Sequence, residues 1–341
     1  MRSLTITRHG EPEVLAVREA PDPSPSRGEV RIRVERAGLN FSDLAARMGL
    51  YPDAPPPPCV LGYEVAGTVD ATGEDVQSLH SGDRVLALTR FGGQADCAIA
   101  REAAAFRIPD AMSFDEAAAL PVNYLTAFHI LFHVHALKPG EKVLVHMAAG
   151  GVGHAAIELC RLLEGVEIFG TASASKHPML LEWGLHHPID YRSADYFHVV
   201  KHLTGGRGVD LVLDPLGGPD TAKSYALLAN AGHLVCFGWS NMVSGARRNY
   251  LRLAAQLARM KRFSPLSLMD HNRTVSGVNM GRLWDEVNLL GHHLRRLLDL
   301  FTEKKIHPYV DRVFPLARGA EAHRYMQERK NVGKILFDCT Q

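Results

Sequence analysis

Two kinds of hydrophobic pattern divide the chain. Up to about Ala117, apolar and polar residues alternate over short runs: EVRIRVERAG (Glu29–Gly38), VAGTVDATG (Val65–Gly73) and DRVLALT (Asp83–Thr89). A period of two predicts half-buried strands, and the Gly, Pro and Asp between them predict tight turns. A small, partly closed β barrel is therefore expected here, with Pro55–Pro58 as a stiff loop before CVLGYE. The most apolar long stretch, Ala117–Ala136, is interrupted by Pro121, Asn123, His129, His133 and His135. Those polar groups are too costly for hydrocarbon, so a buried helix is expected there rather than a membrane span.

Beyond this point continuous apolar runs alternate with helical patterns. The runs are KVLVHM (Lys142–Met147), VEIFGT (Val166–Thr171), HPIDY (His187–Tyr191), VDLVLD (Val209–Asp214), GHLVCFG (Gly232–Gly238) and RTVSGV (Arg273–Val278). Helices are expected at Gly151–Leu163, Lys176–Trp183, Ala194–Leu203, Asp220–Leu228, Arg247–Arg262 and Arg282–Lys304. Buried β runs alternating with helices predict an α/β fold with a doubly wound, parallel Rossmann sheet. The tail is too short to fold alone, so residues 306–341 are expected to join residues 1–122, leaving 123–305 as the nucleotide domain.

The sharpest chemical signal lies in HMAAGGVGHAA, His146–Ala156, between a predicted strand and a predicted helix. Gly150 and Gly153 fill the second and third glycine positions of a dinucleotide fingerprint, with Gly151 and Val152 between them; Ala148 replaces the first glycine. A bare backbone and a helix N-terminus suit a pyrophosphate. The end of the next strand, GTASASKH, carries no carboxylate for a ribose 2′-OH but offers Ser173 and Lys176, which suit a 2′-phosphate. NADPH is the expected cofactor.

Composition removes several alternatives. With 38 Lys and Arg against 37 Asp and Glu, the net charge of +1 gives no global field for nucleic acid or an anionic membrane. The first residues hold no apolar core of signal-peptide length, and the five cysteines are scattered, so a reducing, cytoplasmic location is expected. The 18 histidines form no HExxH set.

Several strings together resemble the zinc-free quinone oxidoreductase branch of the medium-chain dehydrogenase/reductase superfamily. They are AGLNFSDLAARMGLYP (Ala37–Pro52), LGYEVAGTV (Leu61–Val69), HMAAGGVG, GTASASKH, HPIDY, TGGRGVDLVLDPLGG (Thr204–Gly218) and NVGKILF (Asn331–Phe337). Within that branch they are most similar to the vesicle amine transport protein group. The resemblance implies a GroES-like substrate domain beside the Rossmann domain and a homodimer. It also implies NADPH-dependent reduction of a quinone or α,β-unsaturated carbonyl, with a hydrophobic acceptor. Zinc-dependent relatives carry Cys and His ligands where this chain has GLNFSD and GYE, so Tyr63 stands in the place of His. By the same resemblance, Asn40, Thr126, Leu216, Phe237 and Gly238 belong near the nicotinamide. Tyr191 and Arg329 belong with Lys176 near the 2′-phosphate. Tyr51 and Asn40 are the expected donors to the substrate oxygen.

A second reading is a nucleotide-binding, membrane-peripheral protein with little reductase activity. It rests on GARRNYLRLAAQLARMKRF (Gly245–Phe263), where Tyr250, Leu253, Leu257 and Met260 fall on one helical face. Arg247, Arg248, Arg252, Arg259, Lys261 and Arg262 surround that stripe.

Overall fold

The alternating runs near the start of the chain become strands whose apolar side faces inward. A computed structural model describes residues 1–241 and 250–341, excepting the side chains of 250–253. In chain order come β1 (Arg2–Ile6), β2 (Leu15–Glu19), β3 (Glu29–Leu39), helix α1 (Phe41–Arg47), β4 (Cys59–Val60) and β5 (Glu64–Thr72). Then follow β6 (Arg84–Leu88), β7 (Cys97–Arg101) and β8 (Ala105–Arg107). On β3, Val30, Ile32 and Val34 are buried, while Arg31 and Arg33 reach Asp70 on the other face.

The expected helix over Ala117–Ala136 is instead three pieces: α2 (Phe114–Ala119), α3 (Pro121–Phe128) and a π-helical turn, His129–Val134. Pro121 has no N–H to continue α2, so the chain restarts there.

The second pattern builds the parallel sheet. Its elements are β9 (Lys142–Val145), α4 (Gly151–Cys160), β10 (Glu167–Ala172), α5 (His177–Glu182), β11 (His187–Asp190), α6 (Tyr196–Leu203) and β12 (Val209–Asp214). They continue with α7 (Pro219–Ala226), β13 (Leu228–Cys236), α8 (Tyr250–Ala258), α9 (Pro265–His271) and β14 (Thr274–Gly277). The strand order β11-β10-β9-β12-β13-β14, all parallel, reverses direction between β9 and β12. That is the doubly wound order in which ligands sit at the strands' carboxyl ends.

The chain ends with α10 (Val287–Thr302), β15 (Val310–Pro315), α11 (Gly319–Gln327) and β16 (Lys334–Asp338). Strand β16 pairs antiparallel with β3, completing the sheet β15-β16-β3-β5-β6-β8, while β7 also pairs β3 and β2-β1-β4 form a small second sheet. The described residues form two units, 1–125 with 280–341, and 126–241 with 250–279.

Residues 280–305, expected with the nucleotide domain, group with the first unit. Arg101 donates to the Trp284 carbonyl at 2.6 Å, and Arg295 on α10 lies over the Phe106 ring. An amphipathic helix shows that it covers something, not which sheet it covers. Of the basic segment, 242–249 and the side chains of 250–253 lie outside the described residues, which removes Arg247, Arg248, Tyr250, Arg252 and Leu253 from view. Leu257 and Met260 are exposed.

Candidate functional site

In the second unit the glycine motif forms the turn from β9 into α4. Gly150 is the N-cap, and the ten-residue helix begins at Gly151. A Cβ on Gly153 would collide with the Ala148 carbonyl, so helix and strand approach this closely only with glycine there. No side chain caps the helix N-terminus, which leaves its first N–H groups and positive dipole end to a ligand.

A buried polar network that the motif does not announce fixes the turn from beneath. His146 bonds the Thr171 hydroxyl at 3.1 Å through Nδ1 and the Ser224 hydroxyl at 3.0 Å through Nε2. Burial lowers the pKa of His146, which favours the neutral ring. Thr171 also accepts the Met147 N–H at its hydroxyl and the Ala148 N–H at its carbonyl, so both residues before the turn hang on β10. The signal was present as a histidine at the end of an apolar strand, but its partners are 25 and 78 residues away.

At the end of β10, Ser173 is buried and its hydroxyl lies 3.4 Å from that of Ser175; Lys176 is half-buried and Tyr191, just after β11, is exposed. These groups and the α4 turn stand at the carboxyl ends of neighbouring strands. The ends of β12 and β13 are brought together as well. The Phe237 N–H donates to the Asp214 carbonyl, and a Cβ on Gly238 would come within 2.8 Å of the Pro215 carbonyl oxygen, so only glycine fits. Leu216 and Phe237 are both partly exposed there, and Thr126 is buried on α3. Arg329 belongs to the first unit, in the left-handed turn after α11 with φ of 57°.

The first unit holds Asn40 and Tyr51. Asn40 opens α1 and is already engaged: Nδ2 donates to Glu64 at 3.0 Å, and Oδ1 accepts from Lys334 at 2.8 Å. Lys334 and Glu64 form an ion pair with 2% and 0% of their side chains exposed. The other Glu64 oxygen accepts the Val122 N–H at 2.6 Å. Beside them, Asp43 is fully buried and accepts the Asn40 N–H at 2.8 Å through Oδ2, while Oδ1 has no partner. Burial raises the Asp43 carboxyl to about 7 against the pull of the Asn40 N–H and Lys334. Glu64 and Lys334 were visible in GYE and NVGKILF, yet they lie 270 positions apart and nothing local pairs them.

Tyr51 belongs to an aromatic cluster. Its ring meets Tyr63 edge-on at 6.4 Å, Tyr63 lies 5.5 Å from Phe91, and Trp284 stacks parallel to Tyr63 at 6.2 Å. Burial, then the nearby Asp53 and Asp43 carboxylates, raise the Tyr51 pKa, so its hydroxyl keeps its proton at neutral pH.

Zinc does not fit this donor set. Asn40 and Tyr63 offer neither thiolate nor imidazole, and among the described residues no group of three or more His, Cys, Asp or Glu could hold a metal ion. No described helix is long and apolar enough to cross a membrane.

Two family models match the chain: an alcohol dehydrogenase GroES-like domain over residues 26–127 and a zinc-binding dehydrogenase domain over residues 183–336. The synaptic vesicle membrane protein VAT-1 homolog of Homo sapiens is 46% identical over 99% of this chain and 86% of its own length. An Escherichia coli quinone oxidoreductase solved with NADPH superposes with a TM-score of 0.87 at 29% identity, over 99% of this chain and all of the other. The CurK enoyl reductase gives 0.84 at 28%, over 99% and 98%. The chain therefore belongs to the medium-chain dehydrogenase/reductase superfamily, with the VAT-1 homologues among its near relatives.

Proposed function

We propose that the protein is a zinc-independent reductase that takes hydride from NADPH and delivers it to a quinone or an α,β-unsaturated carbonyl. The observation that carries this is the glycine turn at β9–α4 followed by Ser173 and Lys176 at the end of β10, with no carboxylate there. The likeness to a quinone oxidoreductase solved with NADPH supports the same reading. NADPH, when bound, supplies the hydride. Gly150, Gly151, Val152 and Gly153 would hold its pyrophosphate on bare backbone. Ser173, Lys176, Tyr191 and Arg329 would hold the 2′-phosphate, and Asn40, Thr126, Leu216, Phe237 and Gly238 would border the nicotinamide.

The protein must also stabilise negative charge on the substrate oxygen. Tyr51, kept neutral by burial, donates a hydrogen bond to that oxygen and then its proton, which water restores. One hydride and one proton convert a quinone to a hydroquinone, or an enone to a saturated ketone, so the reaction balances. Asn40, anchored by Glu64 and Lys334, keeps its second Nδ2–H as the other donor proposed for the substrate oxygen. A homodimer, a cytoplasmic location and a hydrophobic acceptor complete the proposal.

The test is NADPH oxidation against a panel of quinones and enones. Removal of one catalytic donor typically costs 10²–10³-fold in kcat, so Tyr51→Phe is expected to lose about that much with NADPH affinity unchanged. An absence of turnover across the panel refutes the reading.

A further inference from the structure

One buried group near Tyr51 has no work within the fold. The Tyr63 hydroxyl is shielded from solvent and has no hydrogen-bond partner, although the residue as a whole is only 4% exposed. The nearby Ser42 hydroxyl influences it but does not meet hydrogen-bonding geometry. Burial, reinforced by the Asp43 charge and by Tyr51, raises its pKa, so the group is a neutral O–H at any working pH. A buried donor left unpaired is costly, and native structures satisfy such donors almost without exception. Phenylalanine would keep the ring contacts with Tyr51, Phe91 and Trp284 and would avoid that cost. The hydroxyl therefore calls for an acceptor from outside the chain.

Within the reductase reading above, on which this rests, we infer that Tyr63 is a specificity residue: its hydroxyl and that of Tyr51 receive the two carbonyl oxygens of one planar quinone. The pairing of donors is what separates the two substrate classes. An enone has a single carbonyl oxygen and is served by Tyr51 alone. A quinone has two, held rigidly across one ring, and the second satisfies Tyr63. The rings themselves suit such a guest, because electron-rich Tyr and Trp faces attract an electron-poor planar ring.

The Trp284 indole stacks parallel to the Tyr63 ring, 6.2 Å between centroids and 11° between planes. Because the hydroxyl is shielded in this arrangement, the Trp284 segment must move aside when the quinone enters. That segment is fastened by the Arg101 bond to the Trp284 carbonyl and by the Arg282–Asp53 ion pair at 2.6 Å, in which Arg282 is 70% exposed. Neither contact is buried as deeply as the ring they cover.

The experiment compares full-length wild type, Tyr63→Phe and Tyr51→Phe with 1,4-naphthoquinone and with a simple aliphatic enone, NADPH being saturating. Tyr63→Phe is expected to reduce kcat/KM for the quinone about tenfold, mostly through KM, and to leave the enone within twofold. Tyr51→Phe is expected to slow both. Equal effects of Tyr63→Phe on the two substrates, or none on either, overturn the inference while the reductase reading stands. If wild type turns over no member of either class, the reductase reading itself fails. Titration of the oxidised quinone against NADP⁺-loaded protein then decides the Tyr63 contact separately, with equal affinity in wild type and Tyr63→Phe counting against it. The phenylalanine variant is expected to fold at least as stably as wild type, because only an unpaired hydroxyl is lost.

Discussion

Replacing Asp43 by asparagine is expected to change how stability depends on pH. Asp43 is buried beside Glu64 and Lys334, and burial lifts its carboxyl from the ordinary 3.8 to about 7. The folded protein thus binds this proton more tightly than the unfolded chain does. The stabilisation is complete below pH 3.8 and disappears as pH rises to about 7. At ~1.4 kcal/mol per pH unit, the loss across that window is about 4 kcal/mol. His233 works in the opposite sense: burial, then the neighbouring His135, lower it to about 4. Its contribution is present above the ordinary histidine value and is lost as pH falls toward 4. The two slopes oppose each other between pH 4 and 6.5, so the wild-type profile hides both. Urea unfolding of wild type and Asp43→Asn at half-unit steps from pH 4.5 to 8 isolates the first. The stability difference, wild type minus variant, should fall by roughly 3–4 kcal/mol up to pH 7 and then level off. Parallel profiles would show that Asp43 ionises in the fold as easily as in water, and the account of this cluster would be wrong.

Lys334→Met leaves Glu64 as an uncompensated buried charge and should cost about 3–5 kcal/mol in urea unfolding; Glu64→Leu added to it should recover most of that loss. Lys176→Ala should weaken NADPH binding about tenfold and leave NADH binding unchanged, as read by quenching of protein fluorescence; an equal loss for both would detach Lys176 from the 2′-phosphate.

The parts of this molecule that could be read in the sequence are those whose cause is local. Six apolar runs with helices between them lead to one doubly wound order, and a strand-to-helix glycine turn declares itself within a dozen residues. The helix through Ala117–Ala136 shows the cost of weighing apolarity above a breaker: Pro121 was in plain view and ends α2. Asn40 shows a different limit. Its residue type marks a polar position, but only the fold reveals that Glu64 and Lys334 already occupy its amide. The same holds for His146, whose hydroxyl partners come from β10 and α7. Long-range pairing of polar groups leaves no period in a sequence, so these networks emerge only in the fold.

The place of β16 has a consequence for the order in which the molecule can be made. Every strand of the parallel sheet lies between Lys142 and Gly277, so that sheet can close while synthesis is still under way. The barrel around β3 cannot. Its missing strand, and the ammonium group that neutralises Glu64, arrive only with residues 334–338. Until then the first 125 residues wait with the Arg36–Leu39 end of β3 unpaired on its β16 side, beyond the Glu29–Arg33 part that β7 already covers, and that short open edge is the span where a chaperone has most to protect.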